Sequence, residues 1–168
     1  MSKRSGVCQP LLALLFLNSV PLSAQQLTTT PIKTASGVDF TPQLDFEMRH
    51  DDNIANTADN EQSSWISVLT PELSAQLLSG PNQYRALVKL VSGSYLSSND
   101  DNYLDWQAQT SALLELSSRH RLDVSASYAG AHEARGTGIT EGQGNQLTEP
   151  AELRNFRLSG AYEYGTQS

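Results

Sequence analysis

From Val38 to Arg49 every second residue is apolar: Val38, Phe40, Pro42, Leu44, Phe46 and Met48 alternate with Asp39, Thr41, Gln43, Asp45, Glu47 and Arg49. Period two places successive side chains on opposite faces of a strand, whereas an α-helix would need apolar residues at spacings of three and four. A chain written this way must form a sheet with one oily face and one wet face. The pattern returns in Leu104, Trp106, Ala108, Thr110, Ala112, Leu114 and Leu116, separated by Asp105, Gln107, Gln109, Ser111 and Glu115. It returns again in Leu122, Val124, Ala126 and Tyr128, and in Phe156, Leu158, Gly160, Tyr162 and Tyr164. Two further strands are less regular. Trp65 to Leu77 carries Ile66 and Val68 in its polar phase, and Tyr84 to Leu96 loses phase around Ser92-Gly93-Ser94, where a bulge at Gly93 is expected. Pro71 counts against a regular central strand, because proline cannot donate to the ladder.

The connections differ in length by position. Ser79 to Gln83 and Ser117 to His120 are short turns, while His50 to Ser63, Ser97 to Asn102 and Arg135 to Arg154 are polar loops. Longer and shorter links therefore fall on opposite ends of an up-and-down sheet. Short turns on one side and long loops on the other are what an outer-membrane barrel shows.

Alternation alone does not separate a membrane sheet from a soluble one with a wet face. The strands approach a dozen residues, near the ~9–11 needed to cross a bilayer at a tilt, against the ~5–6 usual in soluble sheets. Aromatic residues gather near strand ends (Phe40, Phe46, Trp65, Tyr84, Tyr95, Tyr103, Trp106, Phe156, Tyr162 and Tyr164), as interfacial belts require. The apolar phases carry no charge, and one Lys or Arg there would cost about 2–4 kcal/mol at the midplane. The expected fold is all-β, an antiparallel up-and-down transmembrane β-barrel with about six strands present. Single-chain barrels begin at about eight strands, so the sequence is expected to be an N-terminal portion or to share its barrel with other chains.

The N-terminus reads as an export signal. Lys3 and Arg4 precede the apolar run Pro10–Leu17, and Leu22-Ser23-Ala24 offers a small-residue cleavage site. Residues 1–24 are expected to be a signal peptide, 25–37 a polar periplasmic leader and 38–168 the barrel. The lone Cys8 precedes the apolar run, and no lipid anchor is expected on it. Processing lowers the net charge of −7 by two, to −9, and leaves no cysteine for a disulfide or a thiolate metal site. That acidity argues against a nucleic-acid partner, which calls for a basic stripe. The expected location is the bacterial outer membrane.

Phe46-Glu47-Met48-Arg49-His50-Asp51-Asp52-Asn53-Ile54 followed by Ser64 to Ser74 resembles the opening hairpin of the putative β-barrel porin type 2 family. Tyr95-Leu96-Ser97-Ser98-Asn99-Asp100-Asp101-Asn102-Tyr103 with Asp105-Trp106 is similar to its second hairpin. The resemblance runs from about Val38 to Tyr164. It implies a larger outer-membrane barrel, in many members associated with exopolysaccharide production and export, no catalytic residues to carry over, and a Pro71 that is normal for its strand.

Candidate chemistry lies in three places. The polar phase holds charges of both signs, with Asp45, Glu47, Arg49, Arg85, Lys89, Asp105, Arg121 and Asp123 as candidate lumen-lining residues; cross-strand ion pairs that fix register are the alternative. The acidic loops, Asp51-Asp52-Asn53 with Asp59 and Asn99 to Asn102, offer oxygen ligands of the kind calcium accepts, but solvated turns explain them better. His50 beside Asp51 and Asp52 is the one constellation a hydrolase could use, and no serine motif accompanies it. No enzyme activity, metal or cofactor is expected. The expected partners are outer-membrane lipid, lipopolysaccharide and polysaccharide. The reading is a porin-like passage for polar solutes; the alternative is a non-conducting surface or periplasmic binding module.

Overall fold

A computed structural model of the chain describes residues 25–28 (backbone only) and 30–165. The proposed signal peptide lies outside the described residues. Eight strands form one antiparallel sheet: β1 (Gln25–Thr28), β2 (Ile32–Lys33), β3 (Val38–Asp51), β4 (Ser64–Ser79), β5 (Asn82–Tyr95), β6 (Tyr103–Ser117), β7 (His120–Glu133) and β8 (Ala151–Tyr164). The six long strands follow one another in sequence order, each paired with the next, and β1 and β2 both pair with the free side of β3. The sheet is open, since β8 pairs with β7 alone among the described residues.

The part read as a polar leader contributes two short strands to the edge of the sheet. Gln25 lies opposite Phe46 and Ile32 opposite Phe40, so the segment folds back along β3. The polar, aperiodic composition of residues 25–36 gave no sign of this, because an edge pairing of two to four residues needs no hydrophobic period.

Turn chemistry sets the short connections. Gly80 has a φ of +58° and is followed by Pro81. Positive φ followed by a proline-fixed negative φ suits a two-residue hairpin, whose twist matches that of the strands it joins. The irregularity in register falls at the other tight turn, between Glu115 and Ser117. No bulge exists at Gly93: the β4–β5 and β5–β6 ladders keep one register through it. Gly93 lies directly opposite Tyr103, and a Cβ there would collide with the tyrosine ring. The residue is small because an aromatic ring covers it, not because the strand slips. Gly130 sits in the same way under Trp106. Pro71 pairs with Leu44 on the β3 side but leaves the β4–β5 ladder unpaired between Leu69–Ser92 and Glu72–Lys89, which is how the sheet accommodates it.

Register carries the two faces across the whole sheet. Phe46 stands opposite Leu69, Leu73 opposite Val88, Val88 opposite Ala108 and Ala108 opposite Tyr128, which in turn faces Phe156. This apolar face is exposed along all six long strands, with Val88, Leu104, Phe156 and Leu158 at 52%, 62%, 67% and 71% exposure. The buried hydrophobic cluster lies elsewhere. It consists of Ile54, Ile66, Val68 and Tyr95, with Val91 and Tyr103 packed against it, and it sits on the opposite face at the end where the longer loops emerge.

Two expectations about the apolar face need correction. Tyr95 and Tyr103 are not belt residues: Tyr95 belongs to the buried cluster and Tyr103 packs against it, because their positions fall in the polar phase. The face is also not free of charge over its full length. β8 begins at Ala151, five residues before the expected start, which places Glu152 and Arg154 in the phase of Phe156. A strand of 14 residues spans ~45 Å, more than an apolar band ~25 Å tall requires at a ~40° tilt. The two charges stand at the start of β8, next to the long loop that precedes it.

Candidate functional site

The polar face is built by the odd positions of β3 and their partners. Asp39, Gln76, Arg85, Ser111, Ser125 and Ser159 form one row across six strands. Thr41, Ser74, Leu87, Gln109, Ser127 and Arg157 form the next, followed by a row with Glu72, Lys89, Gln107 and Asn155. Register places all eight candidate lumen-lining residues on this face. Asp45, Glu47 and Arg49 come from β3, Arg85 and Lys89 from β5, Asp105 from β6, and Arg121 and Asp123 from β7.

Their partnerships differ. Glu72 lies opposite Lys89, and Glu115 and Glu163 flank Arg121 across their ladders, yet none of these pairs is in ion-pair contact among the described residues. Glu47 and Arg49, on one strand, approach to 4.0 Å and are half exposed, a contact worth little. The face is thus a wet surface of opposed charges rather than a register-locking ion-pair ladder. A cavity of about 320 Å³ opens on it, lined by Asp39, Thr41, Ser74, Gln76, Arg85 and Gln109 among others.

Asp105 stands apart. Its carboxylate accepts from the His132 backbone N–H at 2.7 Å and lies 2.9 Å from His132 Nδ1. The imidazole stacks on Tyr103 with centroids 3.5 Å apart. The β6–β7 ladder ends at Trp106–Gly130, and beyond that point Asp105 takes over as acceptor. A second cavity, about 580 Å³, borders this group and is also lined by Thr140, Leu147 and residues 149–154.

At the loop end the polar face is covered. Residues 52–63 drop Ile54 and Ala55 to 3% and 5% exposure, with Ile54 seated on Ile66, Val68 and Tyr95. Asn53 shapes this loop: its side chain donates to the Thr57 carbonyl at 2.7 Å and accepts from the Thr57 N–H, while Asp51 accepts from the Asn53 N–H. The third loop clamps the first two. Arg135 makes a two-pronged bond to Asp101, Nε to Oδ1 at 2.6 Å and Nη2 to Oδ2 at 2.5 Å, with Nη1 donating to the Leu147 carbonyl. Asp101 is 2% exposed. Asn56 donates to the Arg135 carbonyl, and Gly136 and Gly144 lie so close to the Ala55 carbonyl that a Cβ at either would collide with it. Gln62 and Ser97 tie the first loop to the second.

Three residues of the acidic loops serve structure: Asp51 shapes a turn, Asp101 holds Arg135, and Asn102 accepts from the Tyr95 N–H at 2.7 Å. His50 does not engage Asp51 or Asp52. Its ring packs edge-on against Trp65, opposite it in register, with centroids 5.1 Å apart. His120 contacts the Tyr162 hydroxyl at the short-turn end. The Ile54 cluster, the Arg135–Asp101 clamp and the His132–Asp105 pair were not foreseen. One signal was available: Ile66, Val68 and Val91 in a polar phase mark a patch that something must cover.

A family model described as Putative beta-barrel porin 2 matches residues 39–165. No curated protein and no solved structure is matched by the chain. With the match running the length of the six long strands, the chain belongs to this β-barrel porin family.

Proposed function

We propose that this porin-family member resides in the bacterial outer membrane and gives polar solutes a passive route along its polar face, in the setting of exopolysaccharide export. The observation that carries the reading is the exposed apolar face. Large apolar side chains project from every long strand with no layer packed on them among the described residues, and each Leu or Phe left in water forgoes ~1.5–3 kcal/mol of burial. Lipid is the natural covering for such a surface, and the opposed polar rows then line an aqueous interior, with Asp45, Arg85 and Lys89 among its walls. Residues 1–24 act as the cleaved export signal in this reading, and the acidic loop end faces lipopolysaccharide.

A second reading draws on the covered loop end. Three loops locked over the polar face would suit a non-conducting binding module as well as a constricted channel. Fractionation with heat-modifiable migration on gels tests location, and single-channel recording of the full-length protein tests passage. A heat-modifiable membrane protein that carries no current excludes the passage reading and supports the second. A processed chain that is monomeric in water without detergent excludes both membrane readings.

A further inference from the structure

The two outer edges of the sheet are treated differently by the chain. The outer side of β8 carries no partner strand among the described residues. The outer side of β3 is occupied by β1 and β2, but only in part. All 14 residues of β3 pair with β4, whereas on the other side β1 meets Gln43, Leu44, Asp45 and Phe46 and β2 meets Asp39 and Phe40. No strand lies between Thr28 and Ile32, where Pro31 withholds a backbone donor. Residues 47–51 have no ladder partner on that side among the described residues. The fold-back is nonetheless encoded locally. Gly37, at a φ of +83°, turns the chain into β3, and its N–H donates to the Thr34 carbonyl at 3.0 Å. The Thr34 hydroxyl donates to the Val38 carbonyl at 2.8 Å and accepts from the Val38 N–H at 3.0 Å. So short a turn loses little chain entropy on closing. The strap can therefore meet β3 before strands from far along the chain arrive.

Such a strap suits water and not hydrocarbon. Short strands, proline and lysine are what keep a sheet edge from pairing indiscriminately in water, and Pro31 and Lys33 both stand exposed. In the bilayer every backbone polar group needs a partner within the protein. An interrupted strap cannot supply that along β3, while an antiparallel strand of equal length can. We infer that the outer edge of β3 is the closing edge of the barrel and that residues 25–33 hold it while the chain is in water. A full-length antiparallel strand of the same alternation displaces them when the sheet closes in lipid. The inference rests on the membrane reading above and adds a step to it.

Cysteine pairs test it, because the lone Cys8 lies in the segment that export removes in that reading. Gln26→Cys with Asp45→Cys occupies directly opposed positions of β1 and β3. Gln26→Cys with Asp39→Cys, closer in sequence but out of register, is the control. Full-length processed protein is diluted from urea into buffer, oxidised, and then given didecanoylphosphatidylcholine vesicles. Before vesicles are added, the opposed pair should crosslink at least about fivefold faster than the control. Gly37→Val in the same background should slow that crosslinking about fivefold, since a β-branched residue resists positive φ. The locked chain should yield about tenfold less heat-modifiable protein than the reduced chain, and dithiothreitol should restore the yield. Once assembled in the reduced form, the same pair should resist oxidation. Equal crosslinking of the opposed and control pairs before assembly overturns the strap. A locked chain that assembles normally, or an assembled barrel whose pair still crosslinks readily, makes β1 a permanent strand and overturns the exchange. A wild-type chain that never becomes heat-modifiable overturns the membrane reading, and the inference with it.

Discussion

The loop end and the centre of the polar face are made by the same strands in the same alternation, yet one is a packed core and the other an open wet surface. At the loop end Ile54, Ile66, Val68 and Tyr95 pack together with Val91 and Tyr103 against them, and the charge that enters, Asp101, arrives with Arg135. At the centre, opposed charges such as Glu72 and Lys89 stay out of contact and serines and glutamines dominate. Strand alternation sets which way a residue points. The loops decide whether that side is buried.

Breaking the clamp should have the largest effect. Arg135→Ala leaves the Asp101 carboxylate buried without its partner, at a cost of about 3–5 kcal/mol, and should open residues 96–102 and 134–150 to hydrogen exchange while β4 to β7 exchange as before. Equal protection in both regions would show that the loop end is not a separate packing unit. Leu73→Arg probes the other side of the sheet, in the middle of β4. If lipid covers that face, refolding into vesicles should show a loss of about 2–4 kcal/mol; no loss would mean the side chain never meets hydrocarbon. Gly93→Ala drives a methyl group into the Tyr103 ring and should cost about 1–3 kcal/mol in urea unfolding. Gly160→Ala is its control, since the nearest atom to the added Cβ is 3.8 Å away. Smallest of all, Lys89→Gln removes a charge with no ion-pair contact among the described residues and should change stability by no more than ~0.5 kcal/mol.

Much of the architecture was legible because a period of two leaves little freedom. The six long strands, the short turns and the two-faced sheet follow from residues such as Val38 to Arg49 and Leu104 to Leu116. The misreadings share a cause. Ile66 and Val68 looked like untidiness in a strand, and the stretch around Gly93 like a bulge, because what covers them comes from elsewhere in the chain: Ile54 from a loop and Tyr103 from the next strand. The beginning of β8 was missed because Glu152 and Arg154 break the apolar phase at the start of the strand. The clamp was invisible for a related reason, since Arg135 and Asp101 are 34 residues apart and meet only when two loops converge.

The two rings that lie over glycines both belong to β6 and point to opposite sides of the sheet. Tyr103 covers Gly93 of β5, and Trp106 covers Gly130 of β7. Sliding β6 along either neighbour would carry a ring off its glycine and onto a residue with a side chain, so the strand is pinned on both flanks at once. Its alignment is fixed by shape rather than by charge. That allows the serines and glutamines further along β6 to be chosen for what they touch, with no part in holding the sheet in step.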